Sequence, residues 1–206
     1  MLYMEDLKQN SANSKKRGAV MKLEEIQEYV KKHLSEKRYY HSKCVMERCK
    51  EIAEKFGVDI ETAQKVGIAH DIAKELPEDE KLEYCRKNNI EVDEIEKSNP
   101  TLLHAKIGAD MAKKYFEFDE SMARAIRAHT TGLPNMDMLA KVLFISDRTS
   151  KERNLPDIDY INELLEKGID EAMLYILDEK IKLQVKKKNI MHVDTVITRN
   201  YLLGEK

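Results

Sequence analysis

Four histidines and two aspartates in this 206-residue chain are of the residue types that bind divalent metal ions. His70 and Asp71 end an apolar stretch that begins at Val66, and Asp147 follows the apolar run 142–145. A carboxylate buried in such a segment costs several kcal/mol unless a cation neutralises it, and a metal ion can be that cation. The six candidate ligands are His41, His70, Asp71, His104, His129 and Asp147.

Each candidate also has an ordinary structural interpretation. A single histidine on an apolar helix face, such as His104 or His129, is more often a hydrogen-bonded core residue than a metal ligand. Asp147 can cap a helix end or pair with a nearby arginine. His33 and His192 lack the context of the other four, so we interpret them as ordinary surface or packing residues.

The elements that must position these residues are predicted to be helices, so the fold class is all-α. Seven Gly and four Pro punctuate the chain sparsely, and no segment of useful length alternates with the two-residue period of a strand. Apolar spacing predicts helices near 22–34, 40–56, 59–73, 78–87, 101–115, 119–129, 137–149, 158–167, 170–187 and 194–203. The candidates fall near helix ends, and helical proteins build metal sites where such ends converge.

Composition and charge argue against several classes of protein. Residues 21–206 are predicted to form a single domain, preceded by a disordered extension over residues 1–20. A formal net charge of −2 argues against a protein that clamps a nucleic acid duplex. The longest aliphatic-aromatic run, 142–145, is far short of the roughly 20 residues of a membrane helix. Without a recognisable secretory signal, and with three cysteines outside metal or disulfide spacing, the chain is expected to be cytoplasmic.

The series His41, His70-Asp71 and Asp147 resembles the H…HD…D signature of the HD-domain metal-dependent phosphohydrolases, an all-α superfamily. Longer motifs, within a similarity that runs from about residue 21 to residue 203, look like the YqeK family of bacterial HD proteins. They read Arg38-Tyr-Tyr-His41-Ser, Ala69-His70-Asp71-Ile-Ala-Lys74, Leu102-Leu-His104-Ala-Lys-Ile-Gly108-Ala and Ala125-Ile-Arg-Ala-His129-Thr-Thr-Gly132. The resemblance implies an HD-domain helical bundle and the activity of a symmetrical bis(5′-nucleosyl)-tetraphosphatase, which cuts diadenosine tetraphosphate into two ADP.

The resemblance also implies a dinuclear metal site. The first metal would be held by His41, His70, Asp71 and Asp147. Asp71 would bridge to a second metal that His104 and His129 complete. Imidazole and carboxylate without thiolate suit Fe, Mn, Co, Ni or Zn, and the family resemblance favours iron. Metal-bound hydroxide would then attack an inner phosphorus of the substrate.

Basic and hydroxyl side chains near these motifs are candidates for substrate binding. Lys74, one turn after His70, is the best candidate to neutralise the phosphate charge of the leaving group. Gly132 would let the chain pass close to the ligand. Arginine pairs with phosphate oxygens, although each arginine is equally well interpreted as a solvated surface group. The remaining candidates are Arg38, Arg127, Thr130, Thr131, Arg148 and Arg153.

Two other functions stay open at this point. One is an HD phosphohydrolase that acts on another nucleotide, because the turn between Asp147 and Arg153 departs from the family pattern and leaves the dinucleotide preference in doubt. The other is a non-catalytic module that binds metal and nucleotides or an RNA-processing partner, which only the basic run 182–188 favours. We expect a polyanionic small molecule as the partner, and a homodimer is left open.

Overall fold

The computed structural model describes residues 20–204, and all the regular elements in this range are helices. Two short 3₁₀ helices, Pro100–Leu103 and Lys151–Arg153, accompany eleven α-helices. These are α1 (Leu23–His33), α2 (Glu36–Phe56), α3 (Ile60–Ala69), α4 (Glu78–Lys87), α5 (Glu94–Ser98), α6 (His104–Phe116), α7 (Glu120–Ala128), α8 (Met138–Thr149), α9 (Ile158–Lys167), α10 (Ile169–Lys187) and α11 (Val193–Gly204). The all-α prediction is confirmed.

In three of these helices an aspartate stands directly before the first helical residue and caps the helix. Asp59, Asp119 and Asp137 each accept a hydrogen bond from the backbone N–H three residues later, at 2.8, 2.9 and 2.9 Å. Each bond satisfies one of the N–H groups that a helix start leaves without a partner. At the far end of α2, Gly57 adopts left-handed backbone with φ of +68° and ends the helix as predicted.

Three helix bounds differ from the prediction by more than one residue, and each difference places a candidate ligand. α2 begins earlier than predicted because Ser35 caps it by accepting from the Arg38 N–H at 3.3 Å, so Arg38 and His41 share one helix. α3 ends at Ala69 rather than near residue 73, and the chain turns over residues 70–75. α6 begins at His104, after a 3₁₀ turn, rather than at 101.

One helix, α5, was not predicted. It lies inside the stretch 88–100, for which the sequence predicted no helix, and it is only five residues long. Asp93 begins it by accepting from the Ile95 and Glu96 N–H groups, both at 2.8 Å, while Glu96 accepts from the Asp93 N–H at 3.0 Å. Reciprocal capping of this kind stabilises a helix too short to show apolar periodicity.

The core lies around α8, whose Leu143, Phe144 and Ile145 are at most 1% exposed. α8 packs against α2, α7 and α10, and α2 packs in turn against α3. At the α2–α3 crossing a side chain on Gly67 would place its Cβ 2.9 Å from the Cα of Met46, so the two backbones come closer than any larger residue allows. This close crossing brings the end of α3 next to the middle of α2.

The predicted extension over residues 1–20 lies outside the described residues, except for its last position. The Met21 N–H donates to the Phe116 carbonyl at 3.0 Å and so joins the start of the described residues to the end of α6. Among the helices of residues 20–204, none has the length and apolar character to span a membrane.

Candidate metal centre and the pocket beside it

The six predicted ligands come together at one place, where the ends of α3, α6 and α7 meet α2 and α8. His41 Nε2 lies 3.2 Å from Asp147 Oδ1, whereas His104 Nε2 and His129 Nε2 lie 3.4 and 3.5 Å from Asp71 Oδ1. The group, called the central cluster below, comprises His41, His70, Asp71, His104, His129 and Asp147.

The second ring nitrogen of each histidine is held by the protein. Nδ1–H of His70, His104 and His129 donates to the backbone carbonyl three residues earlier, at 2.7, 2.5 and 2.6 Å. Nδ1–H of His41 donates to Glu152 Oε1 at 2.5 Å. Carbonyl and carboxylate oxygens only accept, so these bonds place a hydrogen on each Nδ1, and each ring in its neutral form has its lone pair on Nε2. Neutral imidazole with a free Nε2 is the form that ligates a metal.

The electrostatics of the cluster keep its carboxylates ionised and favour neutral imidazole at His104 and His129, whereas at His70 burial is outweighed by Asp71 and Asp147, which raise its pKa. Burial opposes ionisation of Asp71 and Asp147, but the adjacent histidines, together with Arg153 at Asp147, hold the pKa of both carboxyls well below the ordinary value. Burial lowers the pKa of His104 and of His129. The cluster therefore offers two anionic and several neutral donors in one place.

Several of these donor atoms have no hydrogen-bond partner although they are buried. They are His41 Nε2, His70 Nε2 and Asp71 Oδ1. In addition, His104 Nε2 and His129 Nε2 lie 3.1 Å apart, and neither carries the hydrogen that a bond between them would need. Buried polar atoms without partners are costly, and opposed lone pairs repel. A cation bound among them would remove both penalties, so the residues present fit a metal ion.

Cationic side chains surround the carboxylates. Arg38 Nη1 donates to Asp71 Oδ2 at 2.9 Å, and Arg153 donates to Asp147 Oδ1 at 2.5 Å. Lys74 Nζ lies 3.1 Å from His104 Nε2. The structure thus places these three candidate phosphate-binding residues at the cluster itself.

The loop after α7 closes one side of the cluster. The Thr130 hydroxyl oxygen lies 3.1 Å from Nε2 of His104 and also 3.1 Å from Nε2 of His129. The Thr131 hydroxyl donates to the carbonyl of Gly132 at 3.1 Å. Gly132 has φ of +76°, and a Cβ there would lie 2.7 Å from Thr198 Oγ1, so the neighbour that requires glycine is α11. The expectation that Gly132 serves close approach of a ligand is not supported by this packing.

Beside the cluster lies a pocket of about 800 Å³, called the α10 pocket below. Thr130 and Arg153, which contact central-cluster residues, also line this pocket, and so do Arg148 and Lys180. Arg148 Nη2 donates to both carboxylate oxygens of Asp157, at 3.0 and 2.8 Å. The candidate Arg127 lies elsewhere: it is exposed on α7 and lines a separate cavity of about 460 Å³.

Two residues with roles at this site, Glu152 and Lys180, were missed by sequence reasoning. Glu152 holds His41, and only its position five residues after Asp147 could have indicated it. Lys180 belongs to no motif, and a lysine in a long charged helix gives no signal of burial. His192, interpreted as an ordinary surface or packing residue, is buried, and its Nε2 lies 2.9 Å from Asp93 Oδ2.

Comparisons with known proteins agree with this geometry. A model of the HD domain family matches residues 38–152, more than half of the chain. A relative from Bacillus subtilis (strain 168) is 33% identical over 89% of this chain and 99% of its own length. One from Halalkalibacterium halodurans is 34% identical over 85% of this chain and 94% of its own length. Both are called symmetrical bis(5′-nucleosyl)-tetraphosphatase.

A solved structure from Clostridium acetobutylicum has the same fold. It is described as a predicted HD superfamily hydrolase involved in NAD metabolism, is 33% identical, and superposes with a TM-score of 0.87 over 91% of this chain and all of its own. The chain therefore belongs to the HD domain family. Within that family its similarity is to the YqeK-type symmetrical bis(5′-nucleosyl)-tetraphosphatases, which confirms the resemblance inferred from the motifs.

Proposed function

We propose that this chain hydrolyses diadenosine tetraphosphate symmetrically, releasing two ADP, with the central cluster as its active site. The observation that carries the proposal is the convergence of four Nε2 lone pairs and two ionised carboxylates beside a pocket lined by cations. The names of the relatives from Bacillus subtilis and Halalkalibacterium halodurans support the same substrate. An HD-domain hydrolase of this type requires a metal, and the cluster's donors fit one.

Two divalent ions are proposed, sharing one carboxylate. The first would bind His41, His70, Asp71 and Asp147. Asp71 would also contact the second, which His104 and His129 complete. When bound, such ions supply Lewis-acid activation of water and of the phosphoryl oxygens. The nitrogen and oxygen donors, with no thiolate among the six ligands, suit iron, and equally Mn, Co, Ni or Zn.

The chain's own cations would bind and orient the polyphosphate. Arg38 and Arg153 lie at the carboxylates of the cluster and Lys74 lies at His104, so a phosphate that approaches the cluster meets three positive charges. The Thr130 hydroxyl, directed at the same point, can donate to a phosphate oxygen. Arg148 lines the pocket through which the rest of the substrate extends.

The positive charge explains why a polyanion would be the substrate. Four neutral imidazoles and two carboxylates carry two negative charges, so two divalent ions would leave the centre with two positive charges. A small polyphosphate compensates that charge, and the whole chain, at net −2, would not attract a nucleic acid duplex.

The three cysteines Cys44, Cys49 and Cys85 are free and buried, which supports a cytoplasmic location.

A product assay tests the proposed function. Protein purified without added metal is analysed for its metal content, and its products from diadenosine tetraphosphate are separated by chromatography. ADP as the single product supports symmetrical cleavage. AMP with ATP, or no turnover by protein with full metal content, would overturn the proposal.

A further inference from the structure

The exposed side of α11 carries no charged residue. Its exposed positions, called the outer face of α11 below, are Val193, Val196, Ile197, Asn200, Leu203 and Gly204. Charged residues make up 36% of the chain. Every other helix in residues 20–204 that exposes two or more positions exposes at least one charged side chain, so α11 differs from the rest of the described helices.

The same helix exposes aliphatic side chains and buries threonines. Val193 and Ile197 are 54% and 47% exposed. Two of the three buried residues of the helix are Thr195 and Thr198, which are 7% and 2% exposed. The Thr198 hydroxyl donates to the Asp194 carbonyl, one turn earlier, at 2.6 Å, so its burial leaves it satisfied. A helix on the surface of a monomer normally buries its aliphatic stripe, and this reversed arrangement indicates that the outer face is covered by another surface.

The two charged residues of α11 are engaged with neighbouring parts of the chain. The Arg199 guanidinium donates to the Asp178 carboxylate on α10. Asp194 Oδ2 lies 3.6 Å from Nδ1 of the buried His192. A charged protein or a charged membrane surface would therefore meet no complementary charge on the outer face. The absence of charge on this face favours an uncharged surface as its cover.

The spacing along the outer face is that of a seam between two paired helices. Val193, Val196, Asn200 and Leu203 follow one another at intervals of three, four and three residues. This is the spacing with which two helices pack side by side. The seam is about 15 Å long, at a rise of 1.5 Å per residue. A helix with the same spacing can therefore cover it along its length.

The composition of the seam suits a second copy of itself. Around a two-fold axis a side chain near the axis meets its own counterpart, so a lysine or glutamate there would face a like charge. Asn200, the polar side chain of the seam, carries an amide that both donates and accepts, so two copies of it can hydrogen-bond to each other. Interfaces of homodimers are also more apolar than the rest of a protein surface and contain few charged residues at their centre.

We propose that the outer face of α11 is the interface of a homodimer, in which it packs about a two-fold axis on the same face of a second copy. Asn200 lies opposite Asn200 of the partner subunit, between the aliphatic side chains of both copies. Thr198, on the inner side of α11, contacts Gly132 in the loop that positions Thr130, so the interface supports this loop in both subunits. Dimerisation is independent of which substrate the central cluster cleaves.

The mass of the full chain in solution tests this interface. Sedimentation equilibrium of the wild type should give twice the 24.0 kDa of one chain. Asn200→Lys places like charges opposite each other at the axis and should raise the dissociation constant of the dimer at least about a hundredfold, so this variant should sediment as a monomer. Leu82→Lys is the matched control, because Leu82 is 37% exposed on α4, outside the interface, and this variant should remain a dimer.

Opposite charges at the same position provide a second test. Asn200→Lys and Asn200→Glu should each be monomeric, whereas an equimolar mixture of the two should recover the dimer, because the charges then attract each other across the axis. A mixture that stays monomeric would overturn the pairing of the face with itself. Circular dichroism verifies that each variant is folded, and Ile197→Lys replaces an Asn200 variant that fails this check.

A monomeric wild type, or a dimer that persists in Asn200→Lys, would overturn the interface. If the wild type is a monomer, alkylation of Ile197→Cys identifies what replaces the second copy, since the native Cys44, Cys49 and Cys85 are buried. Slow labelling would assign the cover to another segment of this chain, and rapid labelling would show an open face. Sedimentation requires neither substrate nor turnover, so its result is distinguishable from failure of the proposed function.

Discussion

Two clusters of histidine and carboxylate side chains in this protein look alike by residue type, but they differ in whether their buried polar atoms have hydrogen-bond partners. The central cluster contains buried Nε2 and carboxylate atoms without partners. The second group, called the peripheral cluster, comprises Asp93, Glu96 and His192, whose donor atoms also lie within 4.8 Å of one another. There His192 Nε2 is 2.9 Å from Asp93 Oδ2, and Lys106 Nζ donates to Glu96 Oε2 at 2.6 Å.

The peripheral cluster therefore already contains its cation. Lys106 supplies the positive charge that a metal would bring, and backbone N–H groups of α5 take the other oxygen of Asp93. None of the buried unpartnered atoms found over residues 20–204 belongs to this cluster. Residue types alone thus do not separate the two clusters, whereas the hydrogen-bond state of their buried atoms does.

The largest expected effect is at the ligand shared by both proposed metals. Asp71→Ala should remove metal and activity together, lowering turnover by about a thousandfold or more, since several kcal/mol of charge stabilisation depend on the ions. Metal analysis and turnover measure this. The counterpart in the peripheral cluster, His192→Ala, should keep the full metal content. Full activity in Asp71→Ala would refute the assignment of the central cluster.

A second variant tests whether Lys106 is the built-in cation of the peripheral cluster. Lys106→Met leaves Glu96, whose side chain is 4% exposed, without its charge partner. Loss of one partner of a largely buried pair should lower the free energy of unfolding by about 2 kcal/mol, with metal content unchanged. Denaturant unfolding of the metal-loaded protein measures it. Unchanged stability would mean that the pair has no structural role.

Glu152 is expected to act on the metal through His41. Glu152→Ala removes the acceptor that fixes the tautomer of His41, and should weaken metal binding about 10- to 100-fold. Titration against a chelator gives the affinity. Glu152→Gln, which retains an acceptor oxygen, should recover part of the loss, and a failure of recovery would indicate that the charge of Glu152 matters more than its hydrogen bond.

The smallest effect is expected at Lys180, the counterpart of Lys106 without a carboxylate partner. Its pKa, lowered by burial to about 8 in the folded chain, lies below the ordinary lysine value of 10.5. Between these two pKa values the unfolded chain binds more protons than the folded chain, so the free energy of unfolding of the wild type rises with pH. Below the lower value the full cost of burying the charged lysine is present. At pH 7, the free energy of unfolding of Lys180→Met should therefore be about 1 kcal/mol higher than that of the wild type. The gain should shrink above pH 8, and a stability difference that does not vary with pH would contradict the prediction.

Much of the site could be predicted from the sequence, because its ligands lie at helix ends. Periodicity and capping aspartates located most helices, and the apolar context of His70-Asp71 marked two buried polar residues, whereas Asp147, after its apolar run, is half-buried. Glu152 and Lys180 could not be found in this way. Their contacts join residues 111 and 50 positions apart, and such pairings depend on tertiary packing that no local pattern encodes.

The hydrogen bonds from Nδ1 of His70, His104 and His129 have a consequence for how this site tolerates sequence change. Their acceptors are backbone carbonyls, which every residue type provides. The positions three residues before these histidines therefore need no particular side chain to orient the ligands, and only packing constrains them: Gly67 lies against Met46, and Ile126 is fully buried. His41 has no such freedom, since a side chain holds it, so mutational scanning should find its partner Glu152 far less replaceable than the exposed Thr101.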